Sequence, residues 1–235
     1  ALQKRGLALI VVHGGGSTVT DWLKRLGTAT KFVRGERVTD LATLEVVTAV
    51  LAGLVNKEIT AAINVRGGRA VGISGIDGSL IASAMKDRDL GYVGAMVKMN
   101  PALLEALLRD GYIPVVSPLS LYSIDRPDKS PAIMNVNGDP IAGDIAAAVG
   151  AEKLVFLTDV AGVNDNNGKL ISGLSAGEVE AMMASGVISG GMIPKINACL
   201  KALKAGSVTR IIDGRKPHAL LKEIEDGEGG TTIYK

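Results

Sequence analysis

A small set of glycine and polar positions carries the chemistry open to this chain. They are the turn Gly14-Gly15-Gly16, Arg37, Asn135, Asn137, Asp139, Asp159 and Lys195. The turn sits in Val11-Val12-His13-Gly14-Gly15-Gly16-Ser17, after an apolar run from Leu7 and before Thr18-Val19-Thr20-Asp21-Trp22-Leu23. Glycines without a Cβ let the backbone turn sharply and let a ligand come close to the main chain. Amides at the start of the following helix point outward at the positive end of its dipole, so an anion is favoured there. Each remaining residue also has a plainer reading. Arg37 could be a surface charge on a hairpin, Asn135 and Asp139 helix caps, Asp159 a turn residue and Lys195 a solvated lysine.

Other chemistries are poorly supplied. No Gly-x-Gly-x-x-Gly follows a strand pattern, and the nearest approach to a P-loop, Gly162 to Gly168-Lys169-Leu170, has one residue too many and no Ser/Thr for magnesium. The two histidines, His13 and His218, lie far apart, and Cys199 has no evident activating partner. Neither a metal cluster nor a nucleophilic triad is expected.

The elements that must position these residues read as alternating strands and helices. A helix is expected over Ser17 to Leu26, and a hairpin turn at Arg34-Gly35-Glu36. A long helix capped by Asp40 is expected to run to Ile63. Strands are expected at Ala70–Ile73, Ile113–Ser117, Lys153–Thr158, Val208–Ile212 and Thr231–Tyr234, with a hairpin from Leu80–Ala84 to Tyr92–Val97. Helices are expected from Pro101, from Asn135-Val136-Asn137-Gly138-Asp139, from Ser175, around Lys195 and over Pro217–Ile224. Ala1 to Gly6 reads as the last turn of a helix with Gly6 as its cap. Tyr122 to Pro131, polar and proline-rich, is the best interlobe loop. The pattern argues for an α/β fold with a mainly parallel sheet covered on both faces. In open α/β sheets ligands bind at the carboxyl ends of the strands, where the candidate residues fall.

Composition narrows the class. The chain has 235 residues, 47% of them hydrophobic and 21% charged, room for one large α/β domain or two lobes with a sizeable core. A net charge of +2 with dispersed lysines and arginines gives no case for nucleic acid or a membrane surface as partner. No apolar segment is read as approaching the ~20 residues of a membrane span, and no signal-peptide pattern is read at the start. A single cysteine excludes an internal disulfide and fits a reducing compartment. A soluble cytoplasmic protein is expected.

The order of the motifs resembles the amino-acid kinase family, in its branch acting on N-acetyl-L-glutamate. The resemblance rests on Val-His-Gly-Gly-Gly (12–16), Gly-Glu-Arg-Val-Thr-Asp (35–40), Leu-Val-Asn-Lys (54–57) and Gly-Ile-Ser-Gly-Ile-Asp-Gly (72–78). It continues through Leu-Gly-Tyr-Val-Gly (90–94), Asn-Val-Asn-Gly-Asp (135–139), Leu-Thr-Asp-Val-Ala-Gly-Val (157–163) and Gly-Gly-Met-Ile-Pro-Lys (190–195). It implies a three-layer αβα sandwich and ATP-dependent phosphorylation of the side-chain carboxylate of N-acetyl-L-glutamate, in arginine biosynthesis. Kinases acting on carrier-protein-bound aminoadipate or glutamate are the alternative, with a non-catalytic ligand-binding relative behind them. The resemblance assigns substrate binding to Gly15, Gly16, Arg37, Asn135 and Asn137, phosphoryl stabilisation to Lys195, and orientation of the catalytic lysines to Asp139. ATP, carrying Mg²⁺, falls to Asp159, Val160, Ala161, Gly162, Val163 and Asn164 and to Val187, Ile188 and Ser189. It divides the chain into residues 1–134, for the acyl amino acid and dimerisation, and 135–235, for ATP, and implies a homodimer or higher homo-oligomer.

Departures from the family pattern are few. Its first strand, with Lys-x-Gly-Gly, lies about one strand and one helix upstream of the glycine turn, whereas twelve residues precede His13 and Lys4-Arg5-Gly6 is a different motif. The first βα unit is expected to be missing from this sequence. Ile76 stands where many members have lysine, and Ala95 where many have glutamate. His218 to Thr232 matches the arginine-feedback signature only in part, which leaves arginine sensitivity open.

Overall fold

The computed structural model describes residues 1–227 and 229–235. The chain forms two compact units, one of Gly6–Ile141 and one of Ala142–Lys235 with Ala1–Arg5.

The first unit starts with strand β1 (Val11–Val12), the glycine turn and helix α1 (Gly16–Arg25). The hairpin β2 (Phe32–Val33) and β3 (Glu36–Arg37) turns through Arg34 and Gly35, both at positive φ (50° and 78°). That is the geometry of a two-residue loop matched to strand twist. It puts Arg37 opposite Phe32 in the register. Next comes a single helical run, α2 (Leu41–Thr48), a π-helical stretch (Ala49–Val55) and α3 (Asn56–Val65). The Asp40 carboxylate accepts the Thr43 amide at 2.8 Å, as its capping position demands. Strands β4 (Ala70–Ser74), β5 (Ile81–Met85) and β6 (Gly94–Met99), helix α4 (Ala102–Arg109), and strands β7 (Ile113–Ser117), β8 (Leu119–Tyr122) and β9 (Ile133–Asn135) complete the unit up to the start of α5 (Gly138–Ala148).

Three strands, in the order β1-β7-β4, pair in parallel. A second sheet, β6-β5-β8-β9, is mixed, with β5 and β8 parallel and the outer pairs antiparallel. The run from α2 to α3 packs on this frame. Val47, Val50 and Leu51 join Val19, Leu23 and Leu119 in one buried cluster, against which Ile76 also packs. Ile59 and Ile63 lie on a second cluster made by Ala70, Ile113 and Val115. Ile76, where the family often has lysine, is therefore part of the packing.

The second unit carries β10 (Lys153–Thr158), β11 (Gly173–Ser175), α6 (Ala176–Ala184), α7 (Met192–Lys204), β12 (Val208–Asp213), α8 (Ala219–Glu225) and β13 (Thr231–Tyr234). Its sheet runs β10-β12-β13-β11, with β10–β12 and β11–β13 parallel and β12–β13 antiparallel. Ser175 caps α6 in a reciprocal box with Glu178. Glu223, 1% exposed, is held by Arg210 at 2.7 Å and Lys153 at 3.2 Å, so its buried charge is paired.

Several expectations need correction. Tyr122 to Pro131 is not an interlobe connection, because it joins β8 to β9, which pair antiparallel inside the first unit. The division between the two compact units falls within α5. Pro101 takes the cap position of α4. Leu41–Val65 is a 25-residue helical run with a mean hydropathy of 1.6, long and apolar enough by composition to span a bilayer. The long helix is as expected, but its apolarity is not, because Glu45, Asn56, Lys57 and Glu58 interrupt the apolar stretches. One side packs in the core, yet only 22% of its most apolar stretch is buried, and Leu41, Leu54 and Val65 are exposed.

Candidate active site

Gly15 carries a φ of 147°, a conformation that side chains rarely adopt, and a Cβ there would lie 2.7 Å from Leu51. Glycine at this position is thus required twice, by its dihedral and by the π-helical stretch against it. π-helical turns are rare, and they occur often beside functional sites. The turn ends on α1, whose N-terminus has no side-chain cap. The first amides of a helix have no partners within it. An anion at the turn supplies what a capping side chain supplies elsewhere.

Arg37 reaches the same helix end. Its Nη2 donates to the Gly16 carbonyl at 2.9 Å and to Thr20 Oγ1 at 2.8 Å, and the guanidinium lies over the Phe32 ring at 4.9 Å. Its Nη1 is buried and has no hydrogen-bond partner. Burial lowers the Arg37 pKa below the ordinary arginine value, but a guanidinium titrates far above neutrality and stays charged. A buried cationic donor without an acceptor is costly, and a carboxylate is the acceptor whose geometry suits its fork.

Asn135, at the end of β9, donates from Nδ2 to Thr39 Oγ1 at 3.2 Å. Asn137 Oδ1 accepts the Asp139 amide at 3.0 Å, so the capping of α5 falls to Asn137 and not to Asn135 or Asp139. Gly15, Gly16, Arg37, Asn135 and Asn137 line one cavity of about 220 Å³ within the first unit. All the expected substrate residues thereby meet, from three separate stretches of chain. Apolar side chains of Val19, Phe32, Val47, Leu51, Val93 and Val136 line the same cavity. A larger hollow of about 660 Å³, lined by Lys86, Asp87, Arg88, Tyr122 and Asp125, contains none of the expected site residues.

Beneath the turn lies a polar network of residues outside the expected site, His13, Asn56 and Lys57. His13 and Asn56 are 7% and 0% exposed. His13 Nδ1 lies 2.7 Å from the Gly14 carbonyl, and His13 Nε2 lies 3.2 Å from Asn56 Nδ2. Asn56 Nδ2 also donates to the carbonyls of Ile73 at 3.1 Å and Val115 at 2.8 Å, tying α3 to β4 and β7. Lys57 Nζ donates to Asn56 Oδ1 at 3.1 Å and to the Gly72 carbonyl at 2.8 Å. A Cβ on Gly72 would lie 2.1 Å from Asn56 Oδ1, so the helix approaches the strand only because Gly72 has none.

The other expected residues belong to the second unit. Asp159 and Val160 are exposed in the loop after β10, and Thr158 Oγ1 donates to the Val160 carbonyl at 2.8 Å. Gly162 has a φ of 152°, Val163 is buried with its amide on Thr231 Oγ1 at 2.8 Å, and Asn164 bridges to Leu170. Between α6 and α7, Val187 is half-buried, Ile188 is buried and Ser189 is exposed. Lys195 stands in the first turns of α7 and is half-buried.

Parallel strands ending in a glycine turn, an uncapped helix N-terminus and an unsatisfied arginine define an anion-binding α/β protein. The chain belongs to the amino acid kinase family, whose sequence profile matches residues 1–213. It is 51% identical over 232 residues to an acetylglutamate kinase of Dehalococcoides mccartyi, covering 99% of this chain and 85% of that protein. It is 49% identical over 235 residues to an acetylglutamate kinase of Cereibacter sphaeroides, covering 100% of this chain and 78% of that one. Its fold resembles an N-acetylglutamate synthase of Neisseria gonorrhoeae solved with coenzyme A and N-acetyl-glutamate. The TM-score is 0.83 at 27% identity, over all of this chain and 53% of that one.

Proposed function

We propose that this chain acts as an acetylglutamate kinase, transferring the γ-phosphoryl group of ATP to the side-chain carboxylate of N-acetyl-L-glutamate in arginine biosynthesis. The observation that carries this reading is the buried, unpartnered Nη1 of Arg37 beside the uncapped α1 N-terminus. Two anionic groups are catered for in one cavity. The apolar side chains around it suit the methylenes and the acetyl methyl of the substrate. The 51% identity to a curated acetylglutamate kinase supports the same choice.

The reacting carboxylate, with a reference pKa of about 4.3, is ionised at neutral pH and needs no general base. Its oxygen forms a bond to the γ-phosphorus, the bond to the β–γ bridging oxygen breaks, and ADP leaves. What opposes the reaction is the approach of an anion to a polyanion, so positioning and positive charge supply the catalysis. Arg37 holds the α-carboxylate as a fork, and the amides at Gly15 and Gly16 face the reacting anion. Asn135 and Asn137 orient the substrate, Lys195 offsets charge on the transferring group, and Asp139 orients the lysine. ATP enters with Mg²⁺ as one substrate and is held by Asp159–Asn164 and Val187–Ser189. Residues 1–134, together with Asn135 and Asn137 in the same cavity, serve the acyl amino acid, and the remainder of 135–235 serves the nucleotide.

The proposal extends to the three-layer αβα arrangement and to a cytoplasmic homo-oligomer. The exposed apolar residues of the Leu41–Val65 run support the homo-oligomer. For the reaction, ATP and N-acetyl-L-glutamate are incubated with the protein and hydroxylamine, which traps an acyl phosphate as the hydroxamate. Hydroxamate formed with free N-acetyl-L-glutamate supports the reading; formation only with a carrier-bound aminoadipate or glutamate overturns it in favour of that alternative.

A further inference from the structure

We propose that His13 is a positioning residue, held as a neutral imidazole with its proton on Nδ1, which pins the Gly14 carbonyl and so aims the glycine turn. The inference rests on the reading of the turn as the place where the substrate carboxylate is phosphorylated. Its structural core, the state of His13, does not depend on that reading.

The proton's place follows from the partners. A carbonyl oxygen can only accept, so the 2.7 Å contact between Nδ1 and the Gly14 oxygen requires a proton on Nδ1. Asn56 Nδ2 can only donate, and it already faces the Ile73 and Val115 carbonyls. A proton on His13 Nε2 would point at that donor, so Nε2 is bare and accepts. The amide orientation of Asn56 is itself fixed, because its Oδ1 accepts from Lys57. The network thus runs in one direction from the ammonium of Lys57, through Asn56 and His13, to the carbonyl of Gly14. Burial lowers the His13 pKa, in agreement with a neutral ring.

The function of the chain is geometric. Gly14 has no side chain to restrain it, and the next residue, Gly15, sits at a φ of 147°. A peptide plane flanked by glycines rotates easily, and rotation would swing its carbonyl toward the anion. Tying the Gly14 oxygen to Nδ1 removes that freedom. Asn56 in turn joins His13 to β4 and β7, so the turn is referenced to the parallel sheet and not to α1 alone. A carbonyl dipole misdirected at a developing negative charge opposes the same step that the amides assist.

The test uses the full chain and two kinds of readout. The ¹⁵N shifts of histidine report tautomer directly, and with two histidines in the sequence a His218→Asn variant assigns His13. The expected spectrum shows Nδ1 protonated and Nε2 bare at pH 7, with less imidazolium at pH 6 than an exposed histidine shows; an Nε2–H tautomer or an imidazolium at pH 7 overturns the proposal. Kinetics separate the two ring nitrogens. Asn at position 13 places a donor near the Nδ1 position, whereas Gln places its amide near Nε2. His13→Asn is expected to keep kcat within about threefold, and His13→Gln to lower it by about 10- to 100-fold with the KM for ATP unchanged, the scale of a small misplacement. Wild-type kcat in His13→Gln, or equal losses in both variants, overturns the proposal. If the wild type forms no hydroxamate at all, the kinase reading fails while the tautomer result stands on its own.

Discussion

Replacing Arg37 with lysine keeps a positive charge in the cavity and removes the planar fork. In the native chain Nη2 is committed to the Gly16 carbonyl and Thr20 Oγ1, and Nη1 is the buried donor without a partner. A lysine has one ammonium for these tasks and cannot brace the helix end and pair with a carboxylate in one plane. Losing one charge-assisted hydrogen bond of the pair costs about 2–3 kcal/mol, which is about 30- to 150-fold in kcat/KM for N-acetyl-L-glutamate. The loss should fall on the acyl amino acid and leave the KM for ATP unchanged. Arg37 is only half-buried, so thermal stability should change by less than about 1 kcal/mol. Initial hydroxamate rates across a matrix of both substrates, with a melting curve of each variant, provide the assay. A rise in the ATP KM with that of N-acetyl-L-glutamate unchanged, or a kcat/KM within threefold of wild type, refutes the assignment of Arg37 to the substrate carboxylate.

Other perturbations follow from the same structure. Lys195→Met should lower kcat by about 100- to 1000-fold with circular dichroism unchanged, and full turnover in hydroxamate assays would sink its phosphoryl role. Gly72→Ala forces a Cβ to within 2.1 Å of Asn56 Oδ1 and should destabilise the fold by about 2–3 kcal/mol, read as a shift in the urea midpoint. Because the folded-state pKa of His13 is lowered, its contribution to stability is complete above the unfolded value of about 6.5 and is lost as pH falls below it toward the folded pKa. Urea midpoints from pH 8 to pH 5 should therefore fall more steeply for the wild type than for His13→Asn. The tip of the β2–β3 hairpin is held by exposed ion pairs, Arg34 to Asp87 and Glu36 to Lys86. Neutralising either pair should change stability by less than about 1 kcal/mol, as thermal melts at low and high salt would record.

Elements with strong local signals were legible from the residues alone. Asp40 before an apolar helical pattern and Arg34-Gly35 between short extended runs adopt the expected cap and turn, and a helix follows Ser175 as expected. The short strands β8, β9 and β11 were not read. Four or fewer residues carry no periodicity, and these strands exist because partners distant in sequence pair with them, as Gly173–Ser175 does with Thr232–Tyr234. The π-helical stretch was invisible for a related reason. Ala-Val-Leu-Ala-Gly-Leu-Val fits a regular helix equally well, and the wider turn places Leu51 and Val55 on Gly15 with Asn56 following at the sheet. The helix over Leu41–Val65 was legible, but its apolar length was not, because Glu45, Asn56, Lys57 and Glu58 break the apolar residues into short runs.

By itself, then, the sequence determined the order and kind of the main elements, the place of the glycine turn between a strand and a helix, and a family resemblance that nominated Arg37, Asn135 and Asn137. These depend on residue type and on neighbours within a few positions. Only the tertiary structure decided that they share one cavity, that a donor of Arg37 is buried there without a partner, and that Asn137 caps α5. It alone decided the protonation of His13, because the group that sets it, Asn56, lies 43 positions away and is held by a carbonyl 59 positions further on. The reason is physical. Local conformation follows from a residue's own backbone preferences, whereas the state of a buried donor or acceptor is set by whichever group the fold brings opposite it.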